Sequence, residues 1–84
     1  MDWKKVYNKQ DKKDEHIKLS DKTSRIFLTK VDKNKYIVCG KTWISQIMGF
    51  DEVIYEETNI HTKHKEALDN YKEIKDKCEK ILKK

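Results

Sequence analysis

The chain has 84 residues, 42% of them charged and 36% hydrophobic, and its 20 basic against 15 acidic residues give a net charge of +5. That length suits one domain near the lower limit of unaided folding, and so polar a composition leaves room for only a small core. No run of about 18 apolar residues exists to span a bilayer, and two glycines are too few for a glycine-rich phosphate loop. Eight aromatics and several dense apolar runs argue for a folded domain over a disordered one.

At the start, Asp2 can cap a short helix in which Trp3, Val6 and Tyr7 share one face at i, i+3 and i+4. Residues 8–15 contain no apolar member and read as an exposed link. The expected organisation is therefore one domain over 1–84, with 1–15 as a helical arm and link. Met1 to Lys5 is charged and lacks the apolar core of a signal peptide, so a cytoplasmic location is expected.

From His16 the period changes to two. His16 to Leu19 reads as a short strand, closed by the turn-rich Ser20 to Ser24. Arg25 to Val31 and Lys35 to Cys39 read as stronger strands, rich in β-branched and aromatic residues. Asp32-Lys33-Asn34 suits a three-residue hairpin loop with Asn34 left-handed. That register sets Leu28 opposite Val38 and Phe27 opposite Cys39. One face of the hairpin then carries Phe27, Val31, Ile37 and Cys39, and the other carries Ile26, Leu28, Tyr36 and Val38. A hairpin with one wet face alternates apolar with polar. This one is apolar on both sides, so cover is expected on each: the last helix on one, and the N-terminal helix, the next short helix or a second molecule on the other.

Gly40 and Lys41 read as the end of the strand, followed by a short helix over 42–49. Thr42 would cap it, Trp43, Ile44, Ile47 and Met48 would share its face, and Gly49 would stop it. Phe50 to Glu57 fits either a strand or a helix, with Val53-Ile54-Tyr55 favouring the strand. The final stretch, Thr62 to Lys84, has the clearest period of all. Ala67, Tyr71, Ile74, Cys78 and Ile81 recur every three or four residues, and Leu68 and Leu82 widen the stripe. Asn59 or Thr62 is the expected cap. Glu73–Lys77, Asp76–Lys80 and Glu79–Lys83 are acid-before-base pairs at i, i+4, each contributing about 0.2–0.5 kcal/mol. The predicted fold is α+β: a small antiparallel sheet of three to four strands against a long C-terminal helix, with short helices at the N-terminus and at 42–49. The same stripe permits a helix dimer, so a homodimer is a competing use of it.

The chemistry-bearing residues do not assemble into a catalytic pattern. Cys39 and Cys78 stand far apart in sequence among apolar neighbours and read as reduced, buried residues. With His61 and His64 they number four potential zinc ligands, but zinc sites normally use closely spaced pairs such as C-x₂-C. The reading is of no catalytic residue, no metal and no cofactor. Charge, by contrast, is segregated. Segment 25–49 has five bases and one acid, and segment 50–60 has four acids and no base.

Two stretches resemble nucleic-acid-binding elements. Ile44 to Phe50 resembles the first helix and turn of a helix-turn-helix, although Asp51, Glu52, Glu56 and Glu57 in the would-be recognition helix would repel phosphates. The order of elements, and Thr62-Lys63-His64-Lys65-Glu66-Ala67, are similar to a double-stranded RNA-binding domain and the lysine-bearing start of its last helix, which holds phosphates.

The expectation is a non-catalytic binding protein that occupies a surface on a protein or nucleoprotein partner. In size and style it is similar to phage- or mobile-element-type inhibitors of nucleic-acid-processing machinery, anti-CRISPR proteins that act on a CRISPR nuclease among them. The candidate contacts are Lys33, Lys35, Tyr36 and Lys41 on the hairpin, with Asp51, Glu52, Glu56 and Glu57 as a phosphate-like group. The alternative is direct RNA or DNA binding through Lys30, Lys33, Lys35, Lys41, Lys63 and Lys65.

Overall fold

A computed structural model of the chain describes residues 12–45 and 49–84. Four strands, β1 (Lys12–Leu19), β2 (Lys22–Asp32), β3 (Lys35–Ser45) and β4 (Asp51–His61), precede one helix, α1 (His64–Leu82). The strands form an antiparallel meander in the order β1-β2-β3-β4, and α1 packs across one face. The predicted α+β architecture is the observed one. The N-terminal helix expected around Trp3, Val6 and Tyr7 lies outside the described residues.

Alternation builds the central hairpin. Leu28 pairs with Val38 and Phe27 with Cys39, the register expected from the loop placed at 32–34. Its turn differs from expectation. Asp32 pairs with Lys35, leaving a two-residue turn at Lys33-Asn34, and the odd residue is taken up one step earlier as a bulge at Val31. The Asp32 carboxylate accepts the Lys33 backbone N–H at 2.7 Å, which holds this turn without a left-handed residue. Among the described residues the non-glycine with positive φ is Ser20, at 61°, in the two-residue turn joining β1 to β2.

The short helix expected over 42–49 is replaced, through Ser45, by β3. Thr42, Trp43 and Ile44 pair with Tyr55, Val53 and Glu52, and the Ser45 N–H donates to the Asp21 carbonyl at 3.1 Å. β-Branched and aromatic side chains fit a pleated, half-buried surface, and two flanking strands supply ladder bonds that an isolated two-turn helix lacks. Gly40 therefore does not end the strand. It lies within it, where α1 crosses, and an added Cβ would overlap Ile74 Cγ2. Residues 51–57, ambiguous between strand and helix, belong to β4.

The core lies between sheet and helix: Ile26, Leu28, Tyr36 and Val38 from the strands meet Ala67, Tyr71, Ile74 and Cys78 from α1. Full burial of each large apolar side chain contributes about 1.5–3 kcal/mol. Two polar residues share this interior. Ser24 and Thr42, cross-strand neighbours, satisfy one another through a 2.7 Å hydroxyl–hydroxyl bond. The helix begins at the N-cap Lys63 with no side-chain capping bond, so neither Asn59 nor Thr62 performs that role. Asn59 lies in β4 and donates to Glu57 and Asn70. At the other end Lys22 Nζ donates to the carbonyls of Lys84 (2.6 Å) and Ile81 (3.4 Å), where a cation suits the helix dipole. The pairs Asp76–Lys80 (3.1 Å) and Glu73–Lys77 (3.4 Å) form as expected. The stripe runs through Leu82, with Ile81 only half-buried. Because the sheet occupies this stripe, it is not the surface for a helix dimer. No helix among the described residues is long and apolar enough to cross a membrane.

Candidate functional site

The face of the sheet turned away from α1 is the site the fold sets up. Strand alternation and pairing place four cross-strand rows on it. They run Lys12–Thr29–Ile37–Ile60, Asp14–Phe27–Cys39–Thr58, His16–Arg25–Lys41–Glu56 and Lys18–Thr23–Trp43–Val53. No described element covers them. Phe27, Ile37, Cys39 and Trp43 are nonetheless half-buried rather than bare, because neighbouring strands and long cationic stems lean on them. The Arg25 guanidinium lies 5.2 Å from the Phe27 ring centre, and Lys41 Nζ lies 5.8 Å from that of Trp43. Among the described residues, four-strand width and these draped cations shelter this face in place of a packed element; the N-terminal helix expected as one possible cover lies outside them.

An open recess of about 270 Å³ is lined by Arg25, Phe27, Cys39, Lys41, Trp43 and Asp51. Arg25 is held from one side by Asp14 through two bonds of 3.2 and 3.0 Å. That pairing draws the Asp14 carboxyl below, and the guanidinium above, its ordinary range. Thr58 Oγ1 donates to Cys39 Sγ at 3.4 Å. Cys39 is therefore a half-buried member of the open face, not the core residue expected, whereas Cys78 is fully buried under the opposite face.

On the helix side the ionisable groups bind α1 to the sheet. Glu15 accepts from Tyr71 at 2.5 Å and pairs with Lys75 at 2.9 Å. Glu57 accepts from Asn59 (2.7 Å) and Tyr55 (2.8 Å) and pairs with Lys77 at 3.4 Å. The bond from Lys75, then that from Tyr71, lowers the Glu15 pKa; those from Asn59 and Tyr55 lower that of Glu57. Burial, reinforced by these carboxylates, pushes both phenols well above their usual range.

The residues singled out from sequence separate into three groups. The four acids do not form one patch. Asp51 and Glu56 lie on the open face, whereas Glu52 and Glu57 lie on the helix side, with Glu57 engaged there. Tyr36 is only 7% exposed, packed at 5.4 Å from His64 beneath the helix, and offers a partner no surface. The lysines divide as well. The β2–β3 turn, the end of β4 and the start of α1 meet at one end of the sheet, where Tyr36 pairs with His61 and touches His64. Lys30, Lys33, Lys35, Lys63 and Lys65 share that end, and Lys41 stands apart in the middle of the open face. His61 Nε2 lies 2.9 Å from Asn70 Oδ1 on the helix side, across the sheet from Cys39, so the four zinc-type residues do not converge.

Sequence reasoning missed Phe27 and Trp43 as surface residues. The signal was present in the alternation Cys39, Lys41, Trp43, which continues unbroken through Gly40. Ile44 and Ser45, read as part of a helix-turn-helix, belong to β3, and the described order ββββα departs from that of a double-stranded RNA-binding domain. Comparison with protein-family models, curated proteins and solved structures finds no match to this chain.

Proposed function

We propose that the chain is a non-catalytic binding module that seats the open face of its sheet on a macromolecular partner. The observation that supports this is a row system that no described element covers, bearing Phe27 and Trp43, each beneath a cation, while Ile26, Leu28, Tyr36 and Val38 of the opposite face pack against α1. Occupying a surface of nucleic-acid-processing machinery, in the manner of a phage- or mobile-element-type inhibitor, is compatible with such a face. Charge mimicry by four clustered acids is not the basis of the proposal, because those acids divide between the two faces. A cytoplasmic location belongs to the same reading and is supported by two free thiols on opposite sides of the sheet.

Cys39 makes the proposal testable in the full chain. A thiol-linked photocrosslinker on Cys39, with Cys78 sheltered, should give adducts to a partner in extract of the native cell. The same reagent on a Cys39→Ser/Lys72→Cys variant, whose thiol lies on the outer surface of α1, should give none. Adducts from the Lys72→Cys position alone would overturn the assignment of the face.

A further inference from the structure

Building on the binding-module reading, we infer that the occupant of the open face is single-stranded nucleic acid, with bases stacked on Phe27 and Trp43. The two rings are on adjacent strands, four residues apart along the sheet, which in strand geometry is about 14 Å. Between them is the Arg25–Lys41 row and its recess of about 270 Å³. That is smaller than the ~300–1,000 Å³ that encloses a drug-sized ligand, and it is open, so it suits a planar group laid on the sheet. Aromatic platforms interleaved with cations are what a single strand needs, because every base has a π-face and every nucleotide a phosphate. Asp14 neutralises Arg25 and holds its guanidinium over Phe27, where the planar group can itself serve as a stacking surface. Lys12, Lys18 and Lys41 rise from the same face, with Asp14 engaged by Arg25 and with Asp51 and Glu56 confined to the β4 edge.

The charged row decides between occupants. His16, Arg25, Lys41 and Glu56 cross the middle of the face, between the two aromatics. The centre of a protein–protein interface is depleted in charge, and covering such a row with an apolar surface would desolvate it. In this row Lys41 can meet a phosphate of a single strand and the Asp14-paired Arg25 a base, while Glu56 stands at the β4 edge. A duplex does not match, because its base faces are already stacked and the rings would have nothing to meet.

The test is fluorescence anisotropy with the full chain and labelled oligo(dT), oligo(U) and a duplex, each about 12 nucleotides long. Single strands should bind at about 50 mM salt and weaken at about 200 mM. Phe27→Leu and Trp43→Leu should each weaken binding about 5- to 150-fold. Lys41→Gln should reduce the slope of log affinity against log salt by about 0.7. Lys72→Gln, on the outer surface of the helix, should leave the affinity unchanged. Should a ring variant fail to fold, Trp43 emission in a Trp3→Phe background provides a second readout, and quenching by the single strand is expected. Equal binding of duplex with silent ring variants, unquenched Trp43, or no binding at the lower salt would each overturn the inference. Cys39 crosslinks to a protein without oligonucleotide binding would overturn it while leaving the binding-module reading intact; absence of both would remove both.

Discussion

Gly40→Ala tests the packing that separates the two faces. The glycine lies inside β3 with ordinary strand dihedrals, so alanine adds no backbone strain and would by itself restrict the unfolded chain favourably, by about 0.4–1 kcal/mol. Its new Cβ, however, would overlap Ile74 Cγ2 and sit 3.5 Å from Cys78 Sγ, two fully buried groups on α1. Forcing a methyl group into a packed core typically costs about 1–3 kcal/mol. The net expectation is a loss of about 1–2 kcal/mol, or roughly 4–16 °C in Tm for a domain of this size. Urea denaturation followed by circular dichroism measures it. Ile74→Ala, costing about 2–5 kcal/mol alone, removes the obstructing methyl group, so Gly40→Ala in that background should become neutral or stabilising. A wild-type-like Gly40→Ala, or the same loss in both backgrounds, would refute the seating of α1 on the bare Cα of Gly40.

Thr42→Val should cost about 1–3 kcal/mol by leaving the Ser24 hydroxyl buried and unpaired, and adding Ser24→Ala should restore most of it, as read from denaturation midpoints. Stability should fall in acid. Asp14, Glu15 and Glu57 have folded pKa values below their unfolded ones, so their contribution is complete above about 4.5 and is lost as pH drops through the folded values. A Glu15→Gln/Glu57→Gln variant should show a flatter Tm–pH curve below that point, and an unchanged curve would exclude these anchors. Under native conditions a thiol reagent should modify Cys39 and spare Cys78 until the protein unfolds, as followed by mass spectrometry.

What could be read from the sequence was what local period controls. The stripe Ala67, Tyr71, Ile74, Cys78 fixed the helix and its buried side, and the loop placed at 32–34 set the pairing of Leu28 with Val38 and Phe27 with Cys39 that the sheet adopts, although the turn itself differs. The failures share a cause: the deciding contact was distant in sequence. Gly40 reads locally as a breaker, yet its small size is explained by Ile74, which crosses it from the helix. Trp43 and Ile44 sit at helical as well as strand spacing, and only pairing with Val53 and Glu52 selects the strand. Asp51, Glu52, Glu56 and Glu57 are neighbours along the chain but alternate across a pleat, with Ile54 as the extra residue that shifts the phase. The site was least legible. Phe27 faces away from the helix only because Ile26 and Leu28 outcompete it for the core, a choice the doubly apolar hairpin leaves open until α1 is placed.

The asymmetry of the sheet is most directly measured by NMR line broadening of the full-length chain with a soluble paramagnetic agent. Signals from Ile37, Ile60 and the Trp43 indole should broaden, and those from Ile26, Val38 and Ile74 should stay sharp. Protection of Ile37 and Trp43 equal to that of Ile26 in the isolated monomer would mean that the second face is already occupied, and would contradict its role as a binding surface.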